Sequence, residues 1–164
     1  MDTLTEQLSR VLPQVEKPSR YMGNELNMVQ KSPAGKLRFA LAFPDVYEVG
    51  MSHLGLKILY ETVNAREDSY CERVFAPWTD MERIMREKHL PLFSLETKTP
   101  VSAFDLLGFT LQYEMSFSNL LNMLELAGLP LYASERQEGP FVDVYKRQSF
   151  ISTIFSLARA QPWP

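Results

Sequence analysis

The chain has one cysteine, Cys71, and only two histidines in 164 residues. A single thiol makes no internal disulfide and no thiolate metal site by itself, so Cys71 reads as a strand residue and the compartment as a reducing, cytoplasmic one. Neither sign of charge is in large excess. The formal net charge is -3 with a pI near 5.5, and no basic stripe occurs, which removes nucleic acid as an expected partner. No run of about 18 apolar residues is present to span a bilayer, and the first residues carry neither a basic n-region nor an apolar h-region. No membrane association is expected. The sequence also lacks G-x-S-x-G, G-x-x-x-x-G-K-[ST] and H-E-x-x-H, so hydrolase and nucleotidase chemistry has no motif to stand on. Glu82 and Glu87 read as a solvated helix face, not an acid pair.

What is present is a hydrophobic fraction of 45% with 23% charged residues, enough for one domain with a core. Residues 1–35 read as an N-terminal helix and an extended arm. Leu4, Leu8, Val11 and Leu12 recur at helical spacing, with Asp2 or Thr3 able to cap and Pro13 as the stop. From Pro13 to Gly35, Pro18, Gly23, Pro33 and Gly35 punctuate a stretch with no evident core face.

Residues 36–142 alternate between strand and helix. Lys36 to Phe43 is a short apolar run stopped by Pro44, as in a buried strand. The loop PDVYEVGM follows, then a helix capped by Ser52, with Leu54, Ile58, Leu59 and Val63 on one face. SYCERVF, Ser69 to Phe75, is the second strand, and Thr79 or Asp80 caps a helix to Lys88. PLFSLE, Pro91 to Glu96, reads as a brief extended run. FDLLGFTLQ, Phe104 to Gln112, is the third strand. SFSNLLNMLELAG is a helix with Leu120, Leu121, Leu124 and Leu126 on its apolar side, begun by Ser116 or Ser118 and closed by Gly128 in the left-handed conformation. Parallel strands need crossover helices, so the pattern predicts an α/β, Rossmann-like sheet of flavodoxin type with helices on both faces. The predicted strands are Leu37–Phe43, Tyr70–Phe75 and Leu106–Leu111. With only three or four strands before the character changes near Val142, the sheet is expected to be incomplete at its C-terminus.

The ordered set KPSRYMGNELNMV, FPDVYEVGMSHLGLKILYETVN, ERVFAPWTDMERIM, PLFSLET and FDLLGFTLQYEMSFSNLLNMLELAGLPL resembles the N-terminal region of a family of radical S-adenosylmethionine (radical SAM) proteins. The resemblance covers roughly Lys17 to Glu135. It implies a cobalamin-binding-like α/β domain placed before a catalytic radical SAM barrel, which becomes its expected partner. S-adenosylmethionine and the iron–sulfur cluster belong to that barrel, because the family's Cys-x-x-x-Cys-x-x-Cys run has no counterpart here and Cys71 alone does not supply it. GPFV is followed by DVYKRQSFISTIFSLARAQPWP, where such proteins continue into a Gly-Gly-Pro turn. Residues 143–164 are therefore expected to be a non-matching, joined or truncated tail that packs outside the core, the alternative being a variant helix over Ser149 to Ala160.

The resemblance also frames the candidate site. In cobalamin domains with a histidine ligand to cobalt, that residue lies in the first strand-to-helix loop within Asp-x-His-x-x-Gly. Here Met51-Ser52-His53-Leu54-Gly55 has no aspartate two residues before the histidine, and its glycine is one place too close. His53 has two readings, a cobalt ligand or a polar residue of a Ser52-capped helix start. Gly50 and Gly55 read as positions where backbone approaches a bulky cofactor, or as turn and packing glycines. Asp45 and Tyr47 share the loop as binding groups or solvated polar residues. Thr110, Gln112 and Tyr113 end the third strand, beside that loop if the strand order is 2-1-3. Cobalamin is the expected cofactor; a docking domain without cofactor is the alternative.

Overall fold

The apolar run LRFALAF forms strand β1, Leu37–Phe43, at the centre of the fold. The computed structural model describes residues 3–145. Three more strands flank β1: β2, Ser69–Phe75, β3, Leu106–Thr110, and β4, Phe141–Tyr145, in the order β2-β1-β3-β4. All three pairings are parallel, with Phe39 opposite Cys71 on one side and Leu106 on the other. Each connection therefore carries helix, as parallel pairing requires. The predicted Rossmann-like α/β sheet is the observed one, and its strand order contains the 2-1-3 arrangement on which the neighbourhood of the β1 and β3 loops depended.

Strand alternation sends side chains to two cores. On one face Phe39, Leu41, Phe43, Cys71 and Leu106 meet helix α4, Leu54–Asn64, through Leu56, Leu59, Tyr60 and Val63. On the other, Ala40, Ala42, Val74, Leu107 and Phe109 meet three helices: α1 (Leu4–Val11), α5 (Thr79–Lys88) and α6 (Ser116–Leu126). The alanines of β1 leave room there for Met81, Ile84 and Met85 of α5, all buried. Helix α1 opens with a reciprocal capping box between Thr3 and Glu6. Gly128, at φ 69°, closes α6 as read from the sequence, with its amide donating to Glu125 O and that of Leu129 to Leu124 O.

Several expectations are corrected. The arm does have a core face: Ser19–Met22 is a short helix, α2, and Val15, Arg20 and Tyr21 are buried. The loop after β1 contains a six-residue helix, α3, Tyr47–Ser52. On α4 it is Leu56 and Tyr60, not Leu54 and Ile58, that join Leu59 and Val63 on the sheet; Leu54 is 70% exposed. The window carried two overlapping apolar stripes, and contact with β1 selected one. Leu121 likewise faces outward on α6. Thr79 and Asp80 do not cap α5, which starts after Trp78; Asp80 instead accepts the Glu16 amide at 2.6 Å. Neither Ser116 nor Ser118 caps α6, whose N-cap position is Met115. Pro91 to Glu96 is no strand and contributes one antiparallel bridge, Phe93 with Pro100. Strand β4 crosses the expected boundary at Val142, because Asp143, Val144 and Tyr145 pair with Gly108, Phe109 and Thr110. Those three residues belong to the sheet; the rest of the expected tail, including Ser149 to Ala160, lies outside the described residues.

Candidate functional site

The strand order reverses direction between β1 and β3, since the chain moves from β1 outward to β2 and then back past β1 to β3. Loops at the carboxyl ends of two such strands part and leave a crevice. At this end of the sheet β1 runs on into the segment from Pro44 to His53, and β3 into the segment from Leu111 to Met115.

Asp45 and Tyr113 join these two segments. The Tyr113 hydroxyl donates to Asp45 Oδ2 at 3.4 Å, while Asp45 Oδ1 accepts the Val46 amide at 2.7 Å. Asn119 of α6 reinforces the seam by donating to Pro44 O at 3.0 Å. Thr110 ends β3 buried, and its hydroxyl has no hydrogen-bond partner among the described residues. Gln112 is exposed beside it. Asp45, Thr110, Gln112 and Tyr113 are thus brought together at one end of the sheet.

The other predicted residues face elsewhere. Tyr47 turns toward β2: its ring meets Phe75 edge-on at 5.5 Å and its hydroxyl donates to Glu25 at 2.8 Å. Burial, with the neighbouring carboxylate, pushes that hydroxyl up to about 12, so Tyr47 is a hydrogen-bond donor at neutral pH. Gly50 is buried, and a Cβ there would lie 2.2 Å from the Phe75 ring. Ser52 is exposed and donates to Val49 O, so it is not the cap of α4. His53 is that cap: its Nδ1 accepts the Leu56 amide at 3.1 Å, and its ring lies 5.3 Å from Phe43. A neutral imidazole that accepts at Nδ1 carries its proton on Nε2, which leaves no lone pair there for a metal. A Cβ on Gly55 would come within 2.9 Å of the same imidazole. Both glycines of this loop therefore make room for the chain's own rings.

Exposed apolar side chains are also found on the elements that begin at this end of the sheet. Val49 of α3, Leu54 at the start of α4, and Tyr113, Met115 and Phe117 around the start of α6 are all exposed, Met115 by 81%. Helices α4 and α6 both begin at this end of the sheet, since each follows a strand.

Sequence reasoning missed a buried ionic cluster along β2. Glu72 is fully buried and accepts from Arg38 at 2.6 Å, Ser94 at 2.7 Å and the Thr97 hydroxyl at 2.6 Å. The Glu96 side chain accepts both the amide and Nε of Arg73 at 2.7 Å, and Arg73 also donates to Glu25 at 3.0 Å and to Met51 Sδ at 3.1 Å. The Leu95 amide donates to Arg73 O at 2.7 Å. Leu95 and Glu96 thus bond the edge of β2 at Arg73, while the Asn64 side chain bonds both backbone groups of Cys71, a task that exposed strand edges impose. The signal was legible as Glu72 and Arg73 side by side in an otherwise buried strand, and as the polar residues of SLETKT.

Among the described residues no group of three His, Cys, Asp or Glu side chains is placed to hold a metal ion, and no helix is long and apolar enough to cross a membrane. Neither the curated proteins nor the solved structures contain a significant match to the chain. The sequence model for the N-terminal region of radical SAM proteins matches residues 55–144, more than half of the chain, running from the first turn of α4 into β4. With that match over the α/β unit just described, the chain belongs to the radical SAM proteins, as their N-terminal region.

Proposed function

We propose that this chain is the cobalamin-binding-like N-terminal module of a radical SAM enzyme, and that its crevice receives a corrinoid without a protein nitrogen on cobalt. The observation that carries the reading is the β1–β3 switch point, with Val49, Leu54, Tyr113, Met115 and Phe117 exposed on the elements that begin at that end of the sheet. Large flat apolar surfaces are held by such residues, with few polar groups to orient them. The exposed side chain of Gln112 at the end of β3 supplies one such group. Asp45 and Tyr113 set the separation of the two segments. His53 holds the start of α4 and stays off the metal. When bound, the corrinoid supplies methyl transfer or radical control; the chain binds, orients and excludes water. S-adenosylmethionine and the iron–sulfur cluster are assigned to the barrel of the parent protein.

A second reading is a docking domain without cofactor. It is favoured by the occupied space at Gly50 and Gly55, filled by Phe75 and His53. Titration of the full parent protein with hydroxocobalamin, followed by visible absorbance, separates the two. The first reading expects saturable binding, a spectrum unchanged in His53→Ala and weaker binding in Tyr113→Ala with Met115→Ala. A parent protein that binds no corrinoid leaves the docking domain as the function.

A further inference from the structure

Helix α3 is too short to hold itself in place, since six residues make few internal hydrogen bonds. It is held from outside, by Phe75 and Arg73 of β2 on one side and by the N-terminal arm on the other. Arg20 Nε donates to both carboxylate oxygens of Glu48, at 2.9 and 3.0 Å, and Lys17 lies 3.5 Å from the same carboxylate. The neighbouring residue, Tyr47, donates to Glu25, whose other oxygen accepts from Arg73 of β2. Three arm residues, Lys17, Arg20 and Glu25, therefore grip two successive residues at the first turn of α3.

The arm is in turn fixed to the polar edge of the sheet. Lys98 donates to Met22 O at 2.9 Å and also to Leu95 O. Gly23, at φ 72°, brings the chain so near that a Cβ would lie 2.7 Å from Leu95 O. A continuous line of contacts thus runs from the ionic cluster of β2 through residues 94–99 and the arm to α3. Beyond α3 lies His53, the cap of α4 and the end of the segment that follows β1.

We propose that Arg20 and Glu25 are positioning residues of the crevice: the arm, not α3 itself, sets where the loop between β1 and α4 stands. This deepens the reading of the β1–β3 crevice as a ligand site and rests on it for its effect on affinity, but the positioning itself is measurable without ligand. The test uses the full parent protein with Arg20→Gln, Glu25→Gln and their combination. Tyr47→Phe serves as a milder variant that leaves the Arg73–Glu25 pair intact, and Arg83→Gln on the solvated face of α5 serves as control.

Hydrogen exchange reads the result directly at the amides of Gly50 and His53, which donate to Val46 O and Gly50 O. Exchange at these amides should quicken about tenfold in the double variant, with β1 and β3 unchanged. Hydroxocobalamin affinity should fall in the same order as exchange rises, Tyr47→Phe least. Unchanged exchange in α3, or an equal rise throughout the sheet, overturns the proposal. Local quickening in a protein whose wild type binds no corrinoid supports the positioning role and overturns only the cofactor reading.

Discussion

His53 and Gly50 show how one side chain is committed by its neighbours. The His53 ring is used twice, as acceptor for the Leu56 amide and as an apolar surface against Phe43. Removing it in His53→Ala should cost about 1 kcal/mol of stability, the usual value of a lost N-cap. His53→Asn, which restores an acceptor, should recover most of that in urea denaturation. Gly50 has no room for even a methyl group, with the Phe75 ring 2.2 Å from the position of a Cβ. Gly50→Ala should therefore destabilise by about 1–3 kcal/mol through overpacking, and Phe75→Leu should rescue part of the loss. If Gly50→Ala were neutral alone, the glycine would be serving ligand approach instead of packing.

At the scale of an element, the grip on α3 has a pH signature. Burial pushes the Glu48 carboxyl up, but hydrogen bonds and charge from Arg20, with Lys17, outweigh it and leave the group below its ordinary value. A carboxyl depressed in the folded state stabilises above its unfolded value and ceases to do so as pH falls through the folded one. The contribution is modest, because Glu48 is partly exposed and screened. Wild type should be more stable than Arg20→Gln at neutral pH, and the part of that difference due to Glu48 should shrink below about pH 4. Urea midpoints at pH 7 and in the acid range measure it; a difference that grows in acid contradicts the assignment.

For the whole molecule, the informative feature is the edge of the sheet. Edge strand β2 carries Glu72 and Arg73 in its buried stretch, and residues 94–99 supply part of their partners while bonding the strand's backbone at Arg73. Glu96→Ala removes one partner and leaves Arg73 buried with a single carboxylate. It should cost about 3–5 kcal/mol, as for other broken buried pairs. A surface control such as Glu82→Ala should stay within about 0.5 kcal/mol. The same change frees the Arg73 amide, so sedimentation should also show greater self-association. A loss no larger than that of the control would mean that the cluster is solvated and that the edge is covered by something else.

Strand β1, the α4 and α6 helices and the Gly128 stop were legible because apolar runs, periodicity and a left-handed glycine are local properties of a chain. Strand–helix alternation gave parallel pairing, while the 2-1-3 order stood only as a condition until the tertiary structure fixed it. The sequence by itself also placed Asp45, Thr110, Gln112 and Tyr113 at one end of the sheet. What it did not decide was which of two apolar stripes of α4 turns inward, that Ser52 yields the cap to His53, or that Gly50 and Gly55 are filled by the rings of Phe75 and His53. Nor did it reveal that Glu25 and Glu96, 48 and 23 residues away from Arg73, would share its guanidinium. These depend on contacts between distant segments, where the energy of burial and pairing exceeds any local preference and becomes definite only once the sheet has closed.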